Sequence, residues 1–364
     1  MTTLRGITWD HTRGLLPMVA TAQRFHEAHP EVEIVWEKRA LQAFADAPIQ
    51  KLAETFDLLV IDHPFVGCAA AHTVLLPLDE HIPADYLADQ AAHSVGLSHA
   101  SYNYGGHQWA LAIDAATPVA SWRPDLLEKP PRAWDELLAL ARQGCVAVPG
   151  VAVDTLMHWF MLCVREGNEP LQNEDTDARA LEKLRQLHQL CATECFQRNP
   201  IRTCEAMCAG DDLWYCPFGY GYSNYAREGY ARRRLRFGDL VDGLRSTLGG
   251  TGLGISLKCR HRAAAVAYAQ YVASAECQRT LYWQSGGQPG HRTAWLDHDA
   301  NRATRDYFRA TLPALDRAYL RPRHNGYVHF QDEAGPVMQR ALQGKLKTPE
   351  ALRQLRKLYD QSRR

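Results

Sequence analysis

The first sixty residues contain three short apolar runs that predict β-strands. Leu4–Trp9 and Val32–Trp36 are each followed by polar or charged residues, and Asp57–Ile61 has the sequence DLLVI. A continuous apolar run of this kind is typical of a strand that is buried on both faces of a sheet.

Longer segments with the apolar spacing of helices separate these runs. Leu15–His29 has apolar residues at intervals of three and four, and Pro30 ends it because a proline disfavours helical geometry in the residue before it. Ala40–Phe56 predicts a second helix, interrupted at Pro48. The order strand, helix, strand, helix, strand predicts parallel strands joined by right-handed crossovers, and therefore an open α/β sheet.

Charged and aromatic side chains follow each predicted strand. Ligands of open α/β sheets bind at the carboxyl ends of the strands, so these residues are candidates for a binding site. They are Trp9, Asp10, His11 and Arg13 after the first strand, Trp36, Glu37, Lys38 and Arg39 after the second, and Asp62 and His63 after the third. Structural roles remain open, since Asp10 can cap the following helix and Trp36 can belong to the core.

The rest of the chain predicts further helices and a glycine-rich approach to a strand. Helical patterns begin at Trp134 and cover Asp177–Cys195 and Arg262–Ser274. The glycines of GGTGLG (249–254) come before the apolar segment Leu253–Leu257, which predicts a strand. A dinucleotide fingerprint has its glycines between a strand and a helix, so we interpret this segment instead as a hinge passage in which small residues let the backbone rotate.

The segment from Trp214 to Tyr225 is unusually rich in aromatic residues. We expect a strand that places Tyr220 and Tyr222 on one face and Ser223 and Tyr225 on the other, with Asn224 beside them. Tyrosine offers a flat apolar ring and a hydroxyl, which suits sugar rings, aromatic acids and nucleosides. Packing of the tyrosines in the core is the alternative.

The composition indicates a globular protein of about two domains. The chain has 364 residues, of which 46% are hydrophobic and 23% are charged, and its 41 basic and 41 acidic residues cancel. A formal charge of zero gives no general attraction to nucleic acid or to an anionic membrane. No apolar run approaches the about 20 residues that span a bilayer. We therefore expect no nucleic-acid partner and no membrane span.

The ten cysteines are unevenly spread. Five of them crowd one segment: Cys191, Cys195, Cys204, Cys208 and Cys216. Their C-x3-C spacing differs from the C-x2-C pairs of zinc sites. We interpret them as buried free thiols, with disulfides and a metal site as the alternatives.

The opening residues MTTLRGITWD lack the apolar stretch of a secretory signal. Many unpatterned thiols also fit a reducing compartment. As the chain stands we expect a cytoplasmic protein, and a periplasmic one if a signal peptide was removed.

Eight segments occur in an order that resembles the family 1 extracellular solute-binding proteins. They are FHEAHPEVEIVWE, FDLLVID, LLPLDE, GHQWALAID with WRPDLL, PPRAWDELL, GGTGLGIS, YVASAECQRTL and GGQPG. This family includes the maltose- and other sugar-binding proteins of ABC importers. Each segment is weakly specific, whereas the series covers most of the chain.

The resemblance implies two α/β lobes, a type II periplasmic-binding-protein fold, a ligand cleft between the lobes and closure about a hinge. It implies lobe I at 1–113 plus 251–300 and lobe II at 114–250 plus 301–364. The crossings between them are expected near Leu111–Ala116, near Gly249–Gly254 and around residues 295–305.

The ends of the predicted strands and the resemblance to the solute-binding family together predict the ligand-binding residues. They are Trp9, His11, Arg13, Arg39, Asp62, His63, Asp114, Tyr220, Tyr222, Ser223, Asn224, Gly250, Thr251 and Gln288. No catalytic residue, cofactor or metal ion is expected among them.

The expected ligand is a small polar solute, either sugar-like or a carboxylate. If two of Arg13, Arg39, His11 and His63 converge, the site would prefer a carboxylate or a phosphate ester. An ABC permease is the expected partner if the protein is exported. Binding without catalysis is preferred, and the alternative is a cytoplasmic enzyme that uses Asp10, His11, Asp62, His63 and Asp114 for acid–base chemistry.

Overall fold

The computed structural model describes residues 1–40, 49–165 and 167–364. The strands are β1 Thr2–Trp9, β2 Val32–Arg39, β3 Leu58–Asp62, β4 Asn103–Tyr104, β5 His107–Gln108, β6 Leu111–Ala116, β7 Pro118–Trp122, β8 Tyr215–Tyr220, β9 Arg236–Gly238 and β10 Gly249–Ile255. The first helices are α1 Thr12–Ala28, α2 Ile49–Thr55, α3 Val66–Ala71, α4 Ala84–Ala92, α5 Ser98–Ser101, α6 Trp134–Ala141, α7 Ala152–Arg165, α8 Glu174–Gln189 and α9 Pro200–Ala209. The later helices are α10 Arg262–Ala273, α11 Ala275–Cys277, α12 Arg292–Leu296, α13 His298–Ala303, α14 Tyr307–Asp316, α15 Tyr327–Leu342 and α16 Thr348–Ser362.

The chain divides into two compact units. Unit 1 comprises Met1–Ala116, Gly249–Arg302 and Pro322–Asn325, and unit 2 comprises Thr117–Leu248, Ala303–Arg321 and Gly326–Arg364. The chain therefore passes between the units after Ala116, after Leu248 and after Arg302, and the short segment 322–325 adds two further passages.

Unit 1 contains a five-stranded sheet in the order β2-β1-β3-β10-β6. The strands β1, β2 and β3 are parallel, as the repeat of strands and helices predicts, and β10 is antiparallel to both of its neighbours. Of the expected helix at Ala40–Phe56 the structure has α2, whereas positions 41–48 lie outside the described residues.

Apolar residues cover both faces of this sheet. On β3, Leu58 and Val60 pack with α1 and α10 on one face, and Leu59 and Ile61 pack with α2 and α3 on the other. Successive side chains of a strand point to opposite faces, which explains why the sequence of β3 is apolar without interruption.

The glycine-rich segment lies inside the strand β10, whereas the sequence predicts it before a strand. Its glycines permit close neighbours: a Cβ on Gly252 would lie 2.7 Å from the Tyr102 ring. The register of β10 against β6 shifts between Thr251 and Gly252, so the strand carries an irregularity there.

Unit 2 contains a three-stranded antiparallel sheet in the order β8-β7-β9. The largest core of the unit is helical, because α7 packs against α8 and α15, and α15 packs against α16. The helix α7 is almost entirely buried from Asp154 to Val164. No helix in the part of the chain that the structure describes has both the length and the apolar character needed to cross a bilayer.

Two histidines and one carboxyl group are buried within the core of unit 2. Burial lowers the pKa of His158 to about 3 and the pKa of His188 to about 4. Burial raises the pKa of Asp154 to about 8. All three groups are therefore uncharged in the folded protein at pH 7.

We predict that acid destabilises the protein through these histidines. Below pH about 6.5 the unfolded chain binds a proton at each histidine and the folded protein does not, so stability falls as the pH decreases towards the folded pKa. Asp154 has the opposite effect, because above its unfolded pKa only the folded state keeps its proton. The substitution His158→Gln should reduce the slope of the unfolding free energy against pH by about 1.4 kcal/mol per pH unit between about pH 6 and 4.5.

Urea unfolding at a series of pH values measures this slope. The exposed His329, also in unit 2, supplies the control, and His329→Gln should keep the slope of the unmodified protein. Equal slopes for His158→Gln and the unmodified protein would contradict the buried, neutral state of His158.

Candidate functional site

Three of the expected site residues lie side by side across the sheet of unit 1. Thr251 on β10 is in register with Asp62 on β3 and with Asp114 on β6. Residues directly opposite each other on neighbouring strands direct their side chains to the same face. The Thr251 hydroxyl is buried, and no partner for it is found among the described residues.

Asp114 forms a buried ion pair with Arg13. The Arg13 Nε donates to Asp114 Oδ2 at 2.8 Å, and Nη2 donates to Oδ1. The two side chains are 4% and 0% exposed. Burial raises the pKa of Asp114, whereas the charge and hydrogen bonds of Arg13 favour its ionised form. This two-point contact holds the first turn of α1 against β6.

Gln288 joins the same region through the residue that follows Asp114. Its carbonyl accepts from the Ala115 N–H at 3.1 Å, and its side-chain Nε2 donates to the Ala115 carbonyl at 2.8 Å. On the other side of β6, Gly250 is in register with Ala115. Gly250 has φ +97°, and a Cβ there would lie 2.4 Å from the Asp114 carbonyl oxygen. A side chain at position 250 would therefore strain the backbone beside Asp114.

His11 caps the helix α1. Its Nδ1 accepts from the Arg13 N–H at 3.0 Å. Burial, reinforced by the charge of Arg13, lowers the pKa of His11 to about 4, so the ring is neutral and can accept. The capping role considered for Asp10 thus belongs to His11, and Asp10 instead pairs with Lys38 at 2.8 Å on the surface.

Trp9 and Arg39 end neighbouring strands and are in register with each other. The Trp9 ring packs against the first turn of α1, where a Cβ on Gly14 would lie 2.4 Å from it. Burial lowers the pKa of Arg39 to about 10. Trp36 is half-buried and donates to the Tyr268 hydroxyl at 3.2 Å, which fits the core role considered for it.

Asp62 and His63 form a local pair after β3. Asp62 Oδ1 accepts from the His63 N–H at 2.9 Å and lies 3.2 Å from His63 Nδ1. The contact caps the short turn His63–Phe65. Of the acidic and histidine residues considered for acid–base catalysis, Asp10 contacts Lys38, His11 and Asp114 both contact Arg13, and Asp62 contacts His63.

In unit 2 the aromatic segment is not one continuous strand. β8 ends at Tyr220, and Ser223–Ala226 forms a 3-10 turn, so the alternating faces expected for Tyr220 to Tyr225 are wrong beyond Tyr220. A Cβ on Gly221 would lie 2.1 Å from the Tyr307 hydroxyl oxygen, so this close approach requires glycine. Tyr220 retains a polar contact, because its hydroxyl lies 3.3 Å from Thr247 Oγ1. Tyr222, Ser223 and Asn224 are buried.

The ten cysteines are free thiols in the structure, and of the five in the crowded segment four are buried and Cys191 is half-buried. Cys195 Sγ lies 3.7 Å from His188 Nδ1, and burial raises the pKa of Cys195 and of Cys216 to about 12. A thiol with such a pKa is protonated at pH 7 and is a weak nucleophile. Within the described residues, the group of side chains spaced for a metal ion includes no cysteine.

No sequence pattern singles out Tyr102, although the structure places it beside the row of predicted site residues. Its hydroxyl donates to the Ile61 carbonyl at 3.1 Å, next to Asp62, and lies 3.5 Å from the Gly250 carbonyl. The only sequence signal is indirect, since the small residue at Gly252 leaves the space that the ring fills.

The sequence matches one protein family over most of its length. The profile of the bacterial extracellular solute-binding proteins matches residues 20–304. The chain belongs to this family. Its helices and sheets also form the α/β two-lobe fold of the type II periplasmic sugar-binding proteins, as the solved structures below show.

One curated relative is the maltotriose-binding protein of Pyrococcus abyssi (strain GE5 / Orsay). It is 28% identical over 116 residues, which are 32% of this chain and only 25% of that protein. The match thus spans a quarter of the relative's length.

Three solved structures share the fold over nearly the whole chain. A solute-binding protein of Thermotoga lettingae TMO bound to α-D-tagatose has a TM-score of 0.83 at 17% identity, with 100% of both chains covered. One from Agrobacterium radiobacter K84 in complex with ribitol has a TM-score of 0.82 at 16% identity, with 100% of this chain and 98% of that chain covered. Maltose-bound MalE3 of T. maritima has a TM-score of 0.81 at 17% identity, with 99% and 100% covered.

We predict that the ion pair of Arg13 with Asp114 is required for the stability of this solute-binding protein. Asp114→Ala leaves a buried guanidinium without its carboxylate and should lower the unfolding free energy by about 3–5 kcal/mol. The double variant Arg13→Met with Asp114→Leu removes both charges and should recover most of this loss.

Chemical denaturation of the single variants Arg13→Met and Asp114→Leu and of the double variant measures the coupling between the two residues. If the losses of the single variants add up in the double variant, the pair has no favourable coupling and the prediction is wrong.

Proposed function

We propose that this chain binds a small, uncharged, polyhydroxylated solute, a sugar or a sugar alcohol, and that it does so without catalysis. We further propose that it works outside the cytoplasmic membrane and transfers its solute to an ABC permease. The observation that carries this proposal is the family match over residues 20–304, because the family is that of bacterial extracellular solute-binding proteins.

The relatives support the class of solute. The curated relative is named for maltotriose, and the three solved structures contain α-D-tagatose, ribitol and maltose. These ligands are uncharged and rich in hydroxyl groups. Such molecules need hydrogen-bond acceptors and donors around them, and flat apolar faces for their rings.

The charges of unit 1 favour an uncharged solute over a carboxylate. Both oxygens of Asp114 accept from Arg13, so the guanidinium fork that would grip a carboxylate is already used. Arginine and carboxylate also cancel each other's charge.

The polar groups of unit 1 suit the hydroxyls of a sugar. Asp62 and Thr251 lie next to each other in the sheet, and a carboxylate and a hydroxyl are good partners for sugar hydroxyls. The Thr251 hydroxyl has no partner among the residues that the structure describes, and a buried hydroxyl without one costs free energy that a ligand hydroxyl would recover.

We propose that unit 2 contributes Tyr220, Tyr222, Ser223 and Asn224, and that solute binds between the two units with closure about the connecting segments. Closure follows if the solute binds the closed arrangement more tightly than the open one. Small-angle X-ray scattering should then show a smaller radius of gyration with saturating solute. An unchanged radius would reject closure without rejecting binding.

We predict selective binding of neutral compounds. Native mass spectrometry of freshly purified protein identifies any retained solute, and isothermal titration calorimetry compares matched pairs such as ribitol with ribonate and galactose with galacturonate. The neutral member of a pair should bind more tightly, and it should be recovered unchanged after incubation. Preference for the acids would overturn the proposed solute class, and conversion to a product would favour the enzyme alternative.

We also predict that Thr251→Val weakens binding of the identified solute by about tenfold, because the substitution removes the hydroxyl and retains the shape of the side chain. Thr3→Val is the matched control, since Thr3 lies exposed on β1 of the same unit. Calorimetry on both variants, with circular dichroism to verify folding, measures the effect. Equal affinities for Thr251→Val and the control would exclude Thr251 from the site.

A further inference from the structure

Asp89, His93 and His291 form a compact group in unit 1 that the proposed solute site does not use. One ligand atom of each residue lies within 4.8 Å of the others. Asp89 is on α4 and His93 is the residue that ends this helix, while His291 caps α12. The two imidazole rings are stacked, with centroids 5.0 Å apart and planes at 14°.

His291 is the observation that indicates a ligand. Its side chain is 1% exposed, and its Nε2 has no hydrogen-bond partner among the described residues. The nearest carboxylate oxygen, Asp89 Oδ2, lies at 3.7 Å, which is too far for a hydrogen bond. A buried polar atom without a hydrogen bond costs free energy. A metal ion bound to this nitrogen would remove that cost.

The spacing of the three residues suits tetrahedral coordination. Zinc binds histidine nitrogen and carboxylate oxygen at about 2.0–2.2 Å, so two ligand atoms of one tetrahedral ion lie about 3.3 Å apart. His93 Nδ1 lies 2.9 Å from Asp89 Oδ1, and His291 Nε2 lies 3.7 Å from Asp89 Oδ2. These distances bracket the required value. The side chains of His93 and Asp89 are 44% and 51% exposed. They can therefore move by the small distance that separates the observed spacing of the ligand atoms from the spacing in a tetrahedral site.

We propose that Asp89, His93 and His291 bind a divalent transition-metal ion of the Zn²⁺ type, with water in the fourth position. His93 Nδ1 lies 2.9 Å from Asp89 Oδ1 and 3.1 Å from the Asp89 carbonyl oxygen. The ion would take the place of the hydrogen on Nδ1, which would be released to water as a proton. Two histidines and one carboxylate are a donor set that zinc accepts in proteins.

A neighbouring hydroxyl supports the tautomer that metal binding requires. His291 Nδ1 lies 2.9 Å from Thr293 Oγ1 and 3.4 Å from the Thr293 N, from whose N–H it accepts in the cap. Binding of an ion at Nε2 would require the other tautomer, in which Nδ1–H donates to Oγ1 and the long contact with the Thr293 N–H is given up. Histidines that bind metals commonly donate their second nitrogen in this way.

The site would fasten α4 to the segment that carries Gln288. The end of α4 and this segment are already in contact. The Arg292 N–H donates to the His93 carbonyl at 2.7 Å, and Ser94 forms an isolated β-bridge with His291. On the other side, the Gly290 N–H lies within 3.1 Å of the Ile113 carbonyl, one residue before Asp114. A bound ion would therefore stabilise the loop next to the row of site residues.

The test uses the complete chain, without a polyhistidine tag and after treatment with a chelator. Titration with Zn²⁺ in a calorimeter should show one strong site per chain, and Co²⁺ should produce the visible absorption bands of a low-coordinate nitrogen and oxygen site. His93→Gln and Asp89→Asn change exposed side chains, so the fold is retained. Each should weaken Zn²⁺ binding at least about tenfold and abolish the rise in melting temperature that Zn²⁺ causes.

The matched control is His107→Gln. His107 has a similar exposure, 40%, and contacts Asp79 at 3.0 Å, so it reproduces the pair of His93 with Asp89 without a buried second histidine. This variant should bind Zn²⁺ like the unmodified protein. The proposal is overturned if His93→Gln retains the affinity, if His107→Gln loses it to the same extent, or if the unmodified protein shows no saturable site.

Discussion

The buried carboxylate of Asp114 sets the strongest constraint on unit 1. A charge without water around it must have a close partner of the opposite sign, or its burial costs several kcal/mol. Arg13 meets this need with two hydrogen bonds. Because Arg13 belongs to the first turn of α1, the start of that helix is tied to the strand β6, about a hundred residues further along the chain. Gln288 then attaches the loop before α12 to the same strand through Ala115.

This arrangement determines which groups of unit 1 are available to a solute. The guanidinium of Arg13 is bound, and the ring of His11 is occupied in capping the helix. The row that remains consists of Asp62 and Thr251, beside the backbone of Gly250. If this row forms part of the proposed solute site, its carboxylate and hydroxyl offer hydrogen-bond partners to the hydroxyls of a neutral sugar or polyol.

The local parts of unit 1 follow from the sequence, because they depend on contacts between near neighbours. The alternation of strands and helices over the first sixty residues gives the parallel strands β1, β2 and β3. The sequence also predicts Asp62, Asp114 and Thr251 as members of a binding site. It does not reveal that they are adjacent, since this depends on the insertion of β10 between β3 and β6, and strand partners so distant in sequence leave no periodic signal.

Two sequence predictions are wrong for the same reason: the continuous strand through the aromatic segment of unit 2, and the placement of the glycine-rich segment before a strand. An alternating pattern of tyrosines predicts a strand, but the strand ends at Tyr220. Directly after it, Tyr307 from a distant helix leaves no space for a side chain at Gly221. Likewise, the sequence predicts GGTGLG as a hinge passage before a strand, yet inside β10 these glycines permit the Tyr102 ring and the Asp114 carbonyl to lie close to the strand. In both cases glycine is required because a group from a remote part of the chain lies where a side chain would be. Glycine in these positions therefore marks places where a remote part of the chain approaches the backbone closely, next to residues that we propose for the site.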